Sequence, residues 1–452
     1  MPKGWVETEL GFILSRITNG SNLKQSDSPF SGTYPVSRIE TIWDEKIDLS
    51  RVKYVAPSSN EIEKYRLLHG DILFSHINSD KHLGKTAIFN LEIDMIHGIN
   101  LLLLRTFPQY DGFLLNYLLR YYRYSGRFIK VAQRAVNQSS INQKKLKEFS
   151  IPIPPLPEQQ RIVAKIDSLF ARLEEVKERL AKVPTLLKNF RQAILTQAVT
   201  GKLTEEWRDR VKSESEELGE WVEQSAKECC AKVQSGGTPK GGAFSSDGIP
   251  FFKVYNIVDQ RISFSYRPQY ISEEIQHSQC KKSICYPNDV LMNIVGPPLN
   301  KVAIVPDQFK ECNINQAITL FRPKEYLDHK FLYYFLREGS SVNKLVNETR
   351  GVVGQVNISL TQCREFRISI PPLKEQTEIV NRVESLFAKA DAIEARYAAL
   401  KAQVEQLPQA ILAKAFRGEL VEQLPTDGDA KDLLREIAEL RAKASPKRQA
   451  SV

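Results

Sequence analysis

Residues 151–170 read IPIPPLPEQQRIVAKIDSLF, and residues 368–387 read ISIPPLKEQTEIVNRVESLF. Twelve of these twenty positions are identical at an offset of 217. A repeat of this length decides the architecture before any local reading does. The offset persists downstream. Gln192-Ala-Ile-Leu195 returns as Gln409-Ala-Ile-Leu412, and Gly201-Lys-Leu203 as Gly418-Glu-Leu420. Upstream the match is weaker: Gly70-Asp-Ile-Leu73 parallels Asn288-Asp-Val-Leu291, and Leu83-Gly-Lys85 parallels Leu299-Asn-Lys301. The order is variable block, repeated block, variable block, repeated block. One part of the design is held nearly constant while the other drifts.

Behind Pro154-Pro155 the apolar residues step by four and three: Ile162, Ile166, Leu169, Leu173, Val176, Leu180, Val183, Leu187, Phe190 and Ile194. The second copy steps identically through Ile379, Val383, Leu386, Ala390, Ile393, Tyr397, Leu400, Val404, Leu407 and Ile411. This is the seam of a coiled coil. Each helix is expected to run about 43 residues, or about 60 Å. Gly201 and Gly418 stand where C-terminal caps belong. Pro184 should kink or break the first helix, and Pro408 the second near its end. Two in-phase stripes, each too long for a small domain, point to mutual pairing. We expect it to be antiparallel, because that relates the two copies by a pseudo-twofold axis. Ile162, Ile166, Leu169, Leu173, Ile379, Val383 and Leu386 are the expected scaffold contacts.

Residues 1–150 and 221–367 have another texture. Short apolar runs such as residues 52–55, 71–75, 86–89 and 100–104 are bounded by Gly, Asn and Ser turns and read as strands. Near the end of each block comes an apolar helix, at 113–119 and 331–336. The expected fold is α+β: two tandem α+β domains separated by two long helices that pair as an antiparallel coiled coil. The boundaries are 1–150 and 221–367 for the variable domains, 151–203 and 368–420 for the helices, an acidic linker at 204–220, and a tail at 421–452.

The chain has 452 residues, 42% apolar and 26% charged, enough apolar material for real cores. The net charge of +9 favours an anionic partner. No apolar run approaches the ~18 residues that span a bilayer, and the N-terminal residues lack the apolar core of a signal peptide. A cytoplasmic protein is expected. The charge is uneven. From Arg120 to Lys147 there are eight basic residues and no acidic one: Arg120, Arg123, Arg127, Lys130, Arg134, Lys144, Lys145 and Lys147. Aromatic residues are interleaved. Such a surface displaces counterions condensed on phosphates. Polar loops follow at Asn137-Gln-Ser-Ser140 and Gly354-Gln-Val-Asn357, and Asn and Gln amides pair with base edges. The candidate DNA-binding residues are therefore Lys85, Arg120, Arg123, Arg127, Lys130, Arg134, Asn137, Gln138, Ser139, Lys144, Lys301, Arg350, Gln355 and Asn357.

Catalytic grammar is missing. Ser79 to Thr86 nearly spells a phosphate-binding loop, but the first glycine is absent and a strand is expected where that loop needs a helix. Asp167, Glu175 and Lys177 resemble a nuclease triad, yet they lie along one helix and do not converge. No methyltransferase tetrapeptide, dinucleotide fingerprint or HExxH is present. His277, Cys280, Cys285 and Cys312 match no zinc motif, and no metal site is expected.

The duplicated Ile-Pro-Pro-Leu-x-Glu-Gln blocks at 153–159 and 370–376 make the sequence resemble the specificity subunits of Type I restriction–modification enzymes, in particular the enterobacterial branch. Phe190-Arg-Gln-Ala-Ile-Leu195 with Gly201-Lys-Leu-Thr204, and Ala413-Lys-Ala-Phe-Arg-Gly-Glu-Leu420, add to the likeness. The resemblance covers nearly the whole chain. It implies two target recognition domains that each read half of a split DNA site. It also implies helices that hold them apart and dock two modification subunits, through which two restriction subunits join. No cofactor is implied for this chain; S-adenosylmethionine, ATP and Mg belong to the partner subunits. Two readers on one face of a duplex should address half-sites about one helical turn, ~34 Å, apart. A coiled-coil protein adaptor that does not touch DNA is the alternative.

Overall fold

The structure is a computed structural model that describes residues 2–135, 138–214, 218–242, 244–348 and 357–444. The chain forms two compact units. One comprises Met1–Leu180 with Ala399–Val452, and the other is Ala181–Ala398.

In the first unit a four-stranded antiparallel sheet is ordered Leu14–Asn19, Leu102–Thr106, Ile72–Phe74, Thr86–Ile88. Side chains alternate across a strand, so one sheet builds two cores. Leu102 and Leu104 join Leu10, Ile13, Phe74 and the helix Gly112–Tyr124 on one face. Leu101 and Leu103 join Ile42, Leu67 and Ala87 on the other. The Asp111 carboxylate caps the helix by accepting from the Phe113 and Leu114 amides. The second unit repeats the frame. Its sheet is ordered Cys230–Ser235, Ile318–Pro323, Val290–Asn293, Val302–Ile304, and Asp328 caps the helix His329–Glu338. Each sheet also carries one buried fork. Arg105 grips Asp71 at 2.6 and 2.7 Å, and Arg322 grips Asp289 at 2.8 and 2.7 Å.

The long helices are Leu156–Val199 and Leu373–Phe416. Both run on through their prolines, Pro184 and Pro408, so of the kink or break expected from sequence the break does not occur. Pairing is antiparallel within each unit. In the first, Ile162 and Ile166 near one helix start pack with Leu412 and Ala415 near the other's end. In the second, Ile194, Leu195 and Ala198 pack with Ile379, Val380 and Val383. The seam is covered unevenly. Leu173, Leu187 and Val404 are buried and Leu169 and Leu386 only half so, while Val176, Phe190, Ile393, Leu400 and Leu407 remain exposed. A helix pair without flanking layers shields only its facing positions, so a regular stripe exceeds what one partner covers.

The start of each long helix is fastened by a buried Glu-Gln pair. Glu158, Gln159, Glu375 and Gln376 are all fully buried. Glu158 accepts from the Trp5 indole at 2.8 Å, and Glu375 from the Trp221 indole at 2.9 Å. Gln159 accepts the Asp111 amide at 2.9 Å and donates to the Pro154 carbonyl at 2.9 Å. Gln376 accepts the Asp328 amide at 2.7 Å and donates to the Pro371 carbonyl at 2.7 Å. A carboxylate survives burial only with such donors, and its place in the first helical turn adds the helix dipole.

The segments read as linker and tail are packed structure. Thr204 and Arg208 both donate to Glu375, and the helix Glu205–Ser213 buries Trp207 and Val211. In the first unit the helix Ala430–Ala444 buries Leu433 and Ile437, the Ala430 amide donates to Gly4, and Arg161 forks onto Asp427. Asp167 is likewise more than a solvated helix residue: it accepts from the Tyr117 hydroxyl. Cys285 and Cys312 face each other with 2.9 and 3.0 Å backbone bonds, whereas Cys280 lies in a separate cluster with Phe251 and Ile271.

Ile166 and Val383 are equivalent positions one repeat apart, and both are fully buried. Ile166→Asp should destabilise the first unit, and Val383→Asp the second, each by about 3 kcal/mol or more, because an unpaired charge enters an apolar core. Calorimetry should resolve a lowered transition in each variant. A melting profile unchanged from the parent would show that these residues do not face the cores.

Candidate nucleic-acid interface

At one end of the first sheet the strands deliver a polar cluster. Leu14–Asn19 ends in Asn19, Ile72–Phe74 runs into Ser75 and His76, and Thr86–Ile88 begins just after Lys85. Three short strands, Gln133–Ala135, Gln138–Ser140 and Ile77–Asn78, form a second small sheet that continues from His76. Asn19 donates to the Ile99 carbonyl at 3.2 Å, lies 3.5 Å from His76 Nε2, and accepts from the Gln143 amide at 3.0 Å. Asn78 donates to Ser75. Asp80 accepts from Ser139 and pairs with Arg134 at 3.6 Å. The result is a polar cluster in which the half-buried amides of Asn19, Asn78 and Gln143 have their directions fixed by neighbours, with Ser75, His76 and Ser139 buried behind them. Such groups discriminate base edges because they cannot reorient freely.

The basic segment divides in two. Lys130, Arg134 and Lys144 are exposed, as is Gln138, while Ser139 is buried under Asp80. Arg127 is exposed and lies 4.3 Å over the Tyr122 ring. Arg120 and Arg123 turn inward and pair with Glu45, which also accepts from the Tyr124 hydroxyl at 2.5 Å. They line a 720 Å³ cavity with Lys85, His82, Asp167 and Phe170. Lys85 is half-buried there; burial, then the charge of Arg123, draws its pKa below the ordinary lysine value. In the second unit Lys301 is half-buried, its amide donating to Asn293 Oδ1 at 2.7 Å. Asn357 is exposed and bridges Val295. Asn137, Arg350 and Gln355 lie outside the described residues.

Sequence reasoning missed Asn19, His76, Gln143 and Glu45. Asn19 and Gln143 are 124 positions apart, and neither belongs to a motif. Glu45 lies some 80 positions from its partners, so the segment looked free of acid when its pairing acid was elsewhere.

The equivalent end of the second sheet differs chemically. Ser235 bonds Thr319 at 3.0 Å, and Ile294, in the place of His76, belongs to the apolar core. Asn293 is spent on the Pro298 carbonyl and the Lys301 amide. The frames match and the polar sets do not. Among the described residues no cluster of His, Cys, Asp and Glu is arranged to hold a metal ion, and no helix is long and apolar enough to cross a membrane.

Comparison with known proteins gives one family. The model for the Type I restriction modification DNA specificity domain matches residues 2–185 and 219–404. A putative type I restriction enzyme MjaX specificity subunit from Methanocaldococcus jannaschii is 32% identical over 434 residues, covering 93% of this chain and 94% of that protein. The type I restriction enzyme EcoKI specificity subunit from Escherichia coli K12 is 29% identical, covering 94% and 90%. The fold is similar to a solved HsdS subunit from Thermoanaerobacter tengcongensis, with a TM-score of 0.62 at 21% identity over 93% of this chain and 98% of that one.

Behind the polar cluster His97 is fully buried, 3.3 Å from the Thr18 carbonyl and 3.4 Å from Ser37. Burial lowers its pKa from 6.5 to about 4. Between these values the unfolded chain binds a proton that the folded one excludes, so stability is complete above pH 6.5 and falls as the pH drops toward 4. The loss is on the order of 3 kcal/mol. Thermal scans should show a steeper fall of the first unit's melting temperature over this window than in His97→Gln. Parallel curves would show that His97 is not the proton-excluding group.

Proposed function

The chain belongs to the Type I restriction–modification DNA specificity family and is a non-catalytic DNA recognition subunit; from that premise we propose that its two units each read one half of an asymmetric, two-part DNA site. The observation that carries this reading is the pair of sheets with one strand order and different polar ends. The first unit offers the wired amide and imidazole of Asn19, Gln143 and His76. The second offers the half-buried hydroxyl of Ser235, held from beneath by the buried Thr319. Different donor and acceptor sets select different bases.

The cations of the first unit divide accordingly. Lys130, Arg134 and Lys144, exposed beside the small sheet, neutralise phosphate and set register without reading sequence. Arg120 and Arg123, which share the carboxylate of Glu45, hold the domain together instead. The paired helices act as the ruler between half-sites. Their exposed apolar positions, Val176, Leu186, Phe190, Ile393, Leu400 and Leu407, dock two modification subunits, and restriction subunits join through these. S-adenosylmethionine, ATP and Mg are used by those partners, in cytoplasmic complexes.

Two measurements test this. Lys130→Ala, Arg134→Ala and Lys144→Ala together should flatten the salt dependence of DNA binding by the assembled methyltransferase, by about one logarithmic slope unit per lost contact. An unchanged slope would place these side chains away from DNA. Replacing residues 1–150 with the matching block of a relative should change one half of the methylated motif and leave the other half and the gap intact. Single-molecule sequencing of adenine methylation in cells reads both, and a graft that altered both halves would exclude independent readers.

A further inference from the structure

Both units build the same hollow beside the long helices. Each has a two-residue hairpin turn, Asp44-Glu45 or Asp259-Gln260, with both residues in the left-handed region at φ near +47 and +61, or +48 and +62. Each sets a tyrosine edge-on to a phenylalanine of the long helix, Tyr117 on Phe170 and Tyr334 on Phe387. An arginine lies over that phenylalanine, Arg120 at 5.1 Å and Arg337 at 4.8 Å. This agreement falls within domains that otherwise drift.

One residue differs. In the first unit Glu45 places a carboxylate on Arg120. In the second unit the equivalent Gln260 turns away. Its oxygen accepts the Val302 amide at 2.7 Å, and its nitrogen donates to the Asn300 carbonyl at 3.3 Å. Arg337 then makes only a 3.2 Å bond to the Tyr333 hydroxyl, and among the described residues neither it nor the exposed Arg261 is paired with a carboxylate. The hollow is correspondingly open, a 1380 Å³ cavity against 720 Å³. A half-buried guanidinium without a counter-charge is an acceptor site for an anion.

The rim limits what that anion is. Asp259, Glu384, Asp391 and Glu394 surround the opening, with Lys330 and Arg191 engaged by the last three. These carboxylates offset the cations of the lining, so the hollow lacks the net positive surface that a polyanion such as DNA needs and leaves Arg337 for a single carboxylate on a protein segment. Exposed Val258 and Ile393 flank it, and Phe190 follows from Arg191, so the hollow continues the apolar docking stripe on the helices. We propose that the hollow of the second unit is a socket for an acidic side chain of the methyltransferase partner, at the position that Glu45 fills from within in the first unit. This rests on the reading of the chain as a specificity subunit.

The test uses the full chain titrated with the methyltransferase subunit of its own system, followed by calorimetry, and the assembled complex titrated with duplex carrying its site. Gln260→Glu supplies the internal carboxylate that Glu45 provides in the other unit and removes no cation. Arg337→Gln removes the acceptor, and Arg337→Lys keeps its charge. We expect the first two to weaken methyltransferase binding about tenfold or more with unchanged melting temperature, and Arg337→Lys to recover most of the loss. Binding by Gln260→Glu as tight as the parent's would overturn the socket. So would loss of DNA affinity with methyltransferase binding intact, which would make phosphate the occupant. Failure of the unmodified chain to bind the methyltransferase at all would instead sink the functional reading on which the proposal rests.

Discussion

A buried glutamate–glutamine pair at the mouth of each long helix is the constraint on which both units turn. The glutamate draws in a tryptophan from the start of the variable block before it, and the glutamine draws in the backbone at the cap of the apolar helix. Sheet, apolar helix and long helix are thus fixed to one another by groups that have no water to fall back on. Loss of any one of these bonds leaves a desolvated donor or acceptor, which favours a single geometry. A domain anchored so firmly at its base is free to vary at the far end of its sheet, where the strands end in Asn19 in one unit and Ser235 in the other.

The frame was largely legible in the sequence. The 217-residue offset announced the duplication, and a four–three spacing announced the helices, because both are periodic signals that survive drift at single positions. The strands at 53–55, 72–74 and 86–88 fell inside the apolar runs that suggested them, and the strand at 102–106 overlaps its run at 100–104. The prolines do not end the helices, since an isolated proline removes one backbone hydrogen bond and a helix 44 residues long has many to hold it. The packed linker and tail also escaped notice, because the acids and lysines at 205–213 and 431–443 outnumber the few apolar residues that anchor them.

The polar sites were less legible for a physical reason. A charge run tells how many cations a segment carries but not which way they face. Arg120 and Arg134 belong to one run, yet one is tucked against Glu45 and aromatic rings and the other is exposed beside Asp80. Long-range polar partners such as Asn19 with Gln143 leave no periodic trace. Only folding brings them together, and this is also why recognition domains on one frame diverge without losing it.

The discontinuous make-up of the first unit bears on how the chain emerges during synthesis. The second unit is one uninterrupted stretch, complete once residue 398 has been made. The first needs Leu412 and Ala415 for its core, and Ala430, Leu433 and Ile437 from the closing helix. Its opening residues therefore wait for almost the whole chain. Although it begins first, it matures last, and the ribosome releases a nascent protein whose trailing reader is finished before its leading one. During that interval the apolar faces of Ile162 and Ile166 lack their partners, so the leading half is the part that most needs protection from aggregation while translation proceeds.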